Sequence, residues 1–315
     1  MSRPRRAIAV LGVALAAAAL GACGSGGETA GADAGARVIV ATTTQVGDFA
    51  RAVAGQRADV RQILTASSDP HAYEPRPSDV RAVAGAKLVV RSGGALDAWL
   101  DDVLRNAGSD ATTIELIDAV RTRRGEGGVD PHWWQDPRNA AIAVGRIRDA
   151  LVAADPEPTR RAAYVANAGA YLTRLRRLDR AIAACMGTIP RHRRRLVTDH
   201  DALGYYADRY GIEVVGTVIP ALSTQAQASA GAVARLVHTI RRAGVTTIFP
   251  ESSANAKLTR AIARDAGATV GPALYADSLG PRGSAGATYL GSLRANTRAL
   301  VTGFTGGRTR CDLPG

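Results

Sequence analysis

Two stretches of this chain follow one plan. ATTTQVGDFARAVAG at 41–55 and VTDHDALGYYADRYG at 197–211 each leave a β-branched run, pass through a polar turn, and enter a helical pattern stopped by glycine. Around the first, strand-like runs at 37–41, 59–64, 87–91 and 111–116 alternate with helical patterns at 45–53, 78–84 and 96–107. Around the second, runs at 195–198, 213–218, 246–249 and 268–272 alternate with helices at 201–210, 230–243 and 256–265. Such alternation, with near-continuous apolar strands, predicts parallel sheets covered by helices on both faces. The plan used twice predicts an α/β fold of two similar lobes.

Between the lobes lies a helical region. Residues 137–154 carry apolar positions at Ile142, Val144, Ile147, Leu151 and Val152, and a longer helix follows over 157–185. Its stripe of Leu172, Leu175, Leu178 and Ile182 repeats at spacings of three and four. At ~1.5 Å per residue it would be roughly 40 Å long, a stiff linker between the lobes. The expected boundaries are 37–156 for the first lobe, 157–187 for the linker and 188–315 for the second lobe.

The N-terminus reads as an address. Arg3, Arg5 and Arg6 precede an apolar run at 7–20, too short for the ~20 residues of a membrane-spanning helix. It is the only run near spanning length, which excludes a polytopic membrane protein. Residues 1–22 read as a secretory signal peptide ending in Leu20-Gly21-Ala22-Cys23. Small residues before a cysteine resemble a bacterial lipobox, so Cys23 is expected to be acylated and to anchor the chain outside the cytoplasm. Residues 23–36 then form a flexible tether rich in Gly and Ala. Cys185 and Cys311 remain, and an oxidising compartment permits one disulfide between them, two free thiols being the alternative.

A net charge of +12 invites a nucleic-acid reading. Only Lys87 and Lys257 are lysines, the arginines are scattered, and no nucleic-acid-binding motif accompanies them. The charge reads as a solvated basic surface, with the clusters at 121–124 and 191–195 in loops. No nucleic acid is expected as a partner.

Three of the five histidines share one setting. His71 stands in DPHAYEP, His132 in DPHWWQDP and His200 in TDHD, each just after a strand. Asp277, in LYADSL, follows the last strand of the second lobe in the same way. Ligands of open α/β sheets bind beyond the carboxyl ends of the strands. Two lobes facing across a cleft would bring two donors from each side onto one ion. Imidazole favours transition metals over Ca²⁺ or Mg²⁺, and three imidazoles with one carboxylate form a four-coordinate set typical of zinc. One carboxylate leaves a dication site at a modest formal charge of +1. Proline holds the chain just before His71 and His132. Asp69, Asp130 and Asp199 are expected to orient the imidazoles, and Glu251 is a supporting or alternative ligand. Tyr73, Trp133, Trp134 and Tyr205 are expected to wall the cleft. His192 and His238 read as ordinary surface residues.

The stretches DPHAYEPRPSD, DPHWWQDP, VTDHDALGYYADRYG and LYADSLGP resemble the motifs of the cluster A-I metal receptors of ABC transporters, over about 37–304. These are zinc- or manganese-specific solute-binding proteins, including lipoproteins. The resemblance implies metal ligands at His71, His132, His200 and Asp277, and a histidine at the third position tilts the metal toward zinc. It implies a permease and its ATPase as partners, an extracytoplasmic, lipid-anchored location, and no enzymatic activity; a monomer is expected. Many zinc receptors carry a long His- and acid-rich loop before the second ligand, whereas 121–129 here is short and basic.

Three other readings fit the same motifs less well. One is a Mn²⁺ or Fe²⁺ receptor of the same type. Another is an extracytoplasmic zinc hydrolase with Glu251 as general base, although four donors leave little room for a catalytic water. The third is a lipoprotein of cell adhesion with an incidental metal.

Overall fold

The structure, a computed structural model, describes residues 38–66, 68–125 and 127–315. The expected signal segment, Cys23 and the tether lie outside the described residues. The described residues pack as one compact unit. Among the described residues no helix is long and apolar enough to cross a membrane.

The first half contains β1 (Val38–Ala41), α1 (Thr44–Ala54), β2 (Asp59–Gln62), α2 (Pro77–Ala84), β3 (Leu88–Arg91), α3 (Leu100–Ala107) and β4 (Thr112–Glu115). The strands form one parallel sheet in the order β2-β1-β3-β4. Central β1 and β3 are buried almost throughout, while edge strands β2 and β4 are half-exposed. That gradient explains why the central pair reads as continuous apolar sequence. The helix expected over 96–107 is interrupted. Asp97 accepts from the amides of Ser92 at 2.7 Å and Gly93 at 2.9 Å, which holds Gly94–Asp97 in a 3₁₀ turn ahead of α3.

A short hairpin follows, β5 (Arg124–Gly125) with β6 (Gly128–Val129), then α4 (Pro137–Ala154) and α5 (Pro158–Gly187). Glu157 caps α5 by accepting from the amides of Thr159 and Arg160, both at 2.7 Å. The 30 residues of α5 bury Tyr164, Ala168, Tyr171, Leu175, Leu178 and Ile182 along one stripe.

The second half repeats the plan with β7 (Arg195–Thr198), α6 (Gly204–Tyr210), β8 (Glu213–Thr217), α7 (Ala230–Ala243), β9 (Thr247–Ile248), α8 (Lys257–Ala266) and β10 (Thr269–Val270). β8 pairs with β7 and β9 with β10, all parallel. A parallel bridge between Thr198 and Phe249, with Phe249 N donating to Val197 O at 3.0 Å, joins the two pairs. The order β8-β7-β9-β10 is thus that of the first half, with β9 and β10 shortened to two residues each. α6 begins three residues later than expected because Asp201 N donates to Ala221 O at 3.1 Å instead of entering the helix.

Two elements had no counterpart in the sequence reading, the β5–β6 hairpin, whose first strand falls at the end of a stretch read as loop, and α9 (Tyr289–Thr305), capped by Thr288. α5 packs against α1 and α4 and also against α6 and α9, and α9 touches α1. The halves are therefore joined by two helices as well as by their facing loops. Cys185, near the end of α5, is bonded to Cys311 as a disulfide, with Cα atoms 5.7 Å apart.

Candidate metal centre

The chain places His71, His132, His200 and Asp277 together, with one donor atom from each lying within 4.8 Å of every other. His132 Nε2 is 3.3 Å from His71 Nε2 and 3.3 Å from Asp277 Oδ1. Asp277 Oδ2 is 3.3 Å from His200 Nε2 and 3.5 Å from His71 Nε2. The side chains of His132, His200 and Asp277 are fully buried, and that of His71 is 6% exposed. His200 Nε2 and both Asp277 oxygens are buried without a hydrogen-bond partner. Buried polar atoms left unsatisfied are costly, and here they converge on one point, as atoms that share a cation would.

Local sequence explains how each donor is aimed. In both Asp-Pro-His motifs the aspartate Oδ1 accepts from the histidine's own amide, Asp69 from His71 at 2.9 Å and Asp130 from His132 at 3.0 Å. Asp136-Pro137-Arg138 and Asp155-Pro156-Glu157 close the same turn at 2.9 and 3.0 Å. Proline supplies the fixed φ and aspartate the acceptor two residues back, so Asp-Pro-X is a rigid turn wherever it occurs here.

The four supporting acids divide in two. Asp130 Oδ1 accepts from His132 Nδ1 at 2.7 Å, and Glu251 Oε1 from His200 Nδ1 at 2.8 Å and the His200 amide at 3.0 Å. A proton held on Nδ1 directs Nε2 at the cluster, where deprotonation frees its lone pair for a metal. Asp69 and Asp199 depart from the expectation, because neither reaches an imidazole. Asp69 fixes the His71 main chain and accepts from Thr224 Oγ1 at 2.7 Å. Asp199 accepts from the Glu251 amide at 2.8 Å and from the Thr259 hydroxyl, acting on His200 through Glu251.

The expected two-and-two split of donors also changes. Asp277 belongs to the second half by sequence, yet its loop is fastened to the first. Ala276 O accepts from Gln135 Nε2 at 2.9 Å, Trp134 Nε1 at 3.1 Å and Gln45 Nε2 at 3.4 Å. Leu279 N donates to Thr44 Oγ1 at 2.8 Å and Ser278 Oγ to Ala66 O at 3.3 Å. His71, His132 and Asp277 thus rest on one frame, and His200 is the donor on the other.

The electrostatics follow from these contacts. Burial alone would lower the His132 pKa, but the hydrogen bond with Asp130 and the nearby charge of Asp277 outweigh it and raise it to about 9. Burial is likewise outweighed at His200 by the charges of Glu251 and Asp277, which raise it to about 10. Asp277 resists burial through the three imidazoles and lies well below the usual carboxylate range. Asp130 is also lowered, held against burial by His132 and Arg123.

Arg123 carries a role the sequence did not reveal, since 121–124 read as solvated loop. Its Nη1 donates to Asp130 Oδ2 at 2.8 Å and its Nε lies 3.1 Å from Asp208 Oδ2 on α6. Its amide donates to Tyr205 Oη at 3.0 Å, and that hydroxyl donates to Asp130 O at 2.8 Å. Trp134 packs edge-on against His132, with ring centroids 5.6 Å apart, and Trp133 is fully buried beside it. Tyr73 instead donates to Asp79 Oδ2 at 2.7 Å and packs at a tilt against Trp99, with ring centroids 4.9 Å apart.

The family described as zinc-uptake complex component A, periplasmic, matches residues 39–303. The manganese-binding lipoprotein MntA of Halalkalibacterium halodurans is 33% identical over 292 residues, covering 91% of this chain and 95% of the relative. The iron ABC transporter substrate-binding lipoprotein MtsA of Streptococcus pyogenes is 25% identical, covering 95% and 99%. Among solved structures, the periplasmic zinc binding protein TroA from Treponema pallidum superposes with a TM-score of 0.78 at 25% identity, over 85% of this chain and 99% of that one.

Proposed function

This chain belongs to the family of zinc-uptake complex component A periplasmic proteins, a metal-binding substrate receptor of an ABC transporter, and on that premise we propose that its cargo is Zn²⁺, held by His71, His132, His200 and Asp277. It is an extracytoplasmic lipoprotein and not an enzyme. The acylated residue is Cys23. The receptor hands its ion to a permease driven by an ATPase, and works as a monomer because one chain supplies all four donors.

The observation that carries zinc is the spacing of the donors. A regular tetrahedron with metal–nitrogen bonds of ~2.0–2.1 Å has edges of about 3.3–3.4 Å. Among His71 Nε2, His132 Nε2, His200 Nε2 and Asp277 Oδ2, three of the separations are 3.3, 3.3 and 3.5 Å, and His132 Nε2 meets the other oxygen, Asp277 Oδ1, at 3.3 Å. Both imidazoles anchored through Nδ1 turn Nε2 to the common centre, and once metal displaces the proton there each offers the neutral lone pair that zinc takes. We assign 37–156 and 188–315 as two lobes that rock about 157–187, with metal favouring the closed arrangement.

A second reading, Mn²⁺ or Fe²⁺, has its own support. Both Asp277 oxygens face imidazole nitrogens, so the carboxylate can bind through two atoms and raise the coordination number above four. The relatives named for manganese and iron point the same way. Elemental mass spectrometry of protein purified without added metal, followed by Zn²⁺/Mn²⁺ competition, separates the two. Recovered zinc at one ion per chain supports the first reading, and recovered manganese or iron rejects it.

A further inference from the structure

The segment 218–225, between β8 and α7, touches two loops that each carry a donor. At its root it is bonded to the His200 loop. Val218 N donates to Thr198 O at 2.9 Å, Ile219 N to Asp199 O at 2.7 Å, and Ala221 O accepts from Asp201 N at 3.1 Å. At its tip it is bonded to the His71 turn. Thr224 Oγ1 donates to Asp69 Oδ2 at 2.7 Å, and Gln225 Nε2 donates to the His71 carbonyl. Midway, Leu222 lies against Gly125 of the hairpin so closely that a Cβ there would come within 2.9 Å of it.

This segment therefore forms a short strut between the donor carried by the second half and the least buried donor of the first. His71 needs such support. It sits in a three-residue 3₁₀ turn, Pro70–Ala72, whose aspartate cap is the group Thr224 holds. The two contacts grip the cap and the carbonyl on either side of the His71 Cα, fixing the turn that aims Nε2. They also join the first half to the second.

We propose that Thr224 and Gln225 are positioning residues that lock the His71 turn to the His200 loop and set how long the receptor keeps its metal. The inference rests on the metal-receptor reading. Because the contacts touch no metal donor atom directly, their loss acts on the rate of opening more than on the coordination itself. Gln225 is exposed at the seam, where a docking permease can displace it.

The test uses the full chain loaded with Zn²⁺ and mixed with excess EDTA, with metal release followed over time. Thr224→Val and Gln225→Ala together are expected to speed release by about tenfold, the size expected for losing a hydrogen bond to a charged group. Thr224→Ser, which keeps the hydroxyl, is expected to release at the parental rate, and metal-free melting is expected to be unchanged in all variants. Release from the double variant at the parental rate, or equally fast release from Thr224→Ser and Thr224→Val, would overturn the strut. So would faster release matched by an equal destabilisation of the metal-free chain. A parental chain that retains neither Zn²⁺ nor Mn²⁺ would instead overturn the receptor reading, and the strut with it.

Discussion

The indole of Trp134 donates to the carbonyl of Ala276 at 3.1 Å, tying the residue before Asp277 to the turn that carries His132. The neighbouring Gln135 donates to the same oxygen at 2.9 Å. Asp277 is therefore placed by the His132 turn, although its chain arrives from the second half. Replacing both donors, with Trp134→Phe and Gln135→Leu, keeps the bulk and removes about 1 kcal/mol of loop anchoring per bond. Metal affinity in a chelator competition is expected to fall by about tenfold or more. An unchanged affinity would show that the Asp277 loop is held by other means.

The acids near the imidazoles are expected to separate into two classes. Asp130→Asn and Glu251→Gln each disturb a carboxylate bonded to Nδ1 of a donor histidine. Losses of about 10–100-fold in metal affinity are expected from such outer partners. Asp69→Asn and Asp199→Asn touch no ring and are expected to cost less than either. Titration of the four variants against one chelator gives the order directly; Asp199→Asn costing as much as Glu251→Gln would contradict it.

The central strands were legible because both faces of β1 and β3 are covered, which forces continuous apolar sequence. The Asp-Pro-His turns were legible because proline and aspartate close them locally, with no distant partner needed. α9 was not, since it buries residues on nearly all sides and includes Gly291, Ser292, Thr297 and Gly303 within its packed surface, leaving only the narrow polar stripe of Arg294, Arg298 and Thr302 to set a period. The hold of Glu251 on His200 depends on β9 lying beside β7, a pairing between residues about fifty positions apart that no local pattern encodes. Arg123 was hidden in the same way, its partners lying on its own turn and on α6 of the other half.

The protonation of the cluster gives metal-free and metal-loaded protein opposite responses to pH. The raised pKa values of His132, about 9, and His200, about 10, stabilise the metal-free fold fully below the ordinary value of about 6.5. That contribution is lost as pH rises through 9 to 10. Metal requires the same imidazoles neutral, so binding expels protons and affinity rises with pH by up to about tenfold per unit for each proton displaced. Calorimetric titrations at several pH values in buffers of different ionisation enthalpy are expected to show tighter binding at higher pH, with protons released to buffer. Affinity independent of pH would mean the histidines are already neutral in the metal-free chain.

The disulfide acts on a different quantity. Cys185 lies near the end of α5 and Cys311 follows α9, so the bond spans 126 residues and ties together the two helices that join the halves. Closing so long a loop restricts the unfolded chain, and its loss is expected to cost about 2–4 kcal/mol. Neither cysteine belongs to the donor set, so the cost falls on folding. Cys311→Ser, paired with Cys185→Ser to avoid a stray thiol, is expected to lower the melting temperature by about 5–10 °C with or without metal. Zn²⁺ affinity is expected to stay within about twofold, because distant sites add nearly independently. A large drop in affinity with little change in melting would mean instead that the tie between α5 and α9 holds the halves in the geometry that gathers His200 with the other three donors.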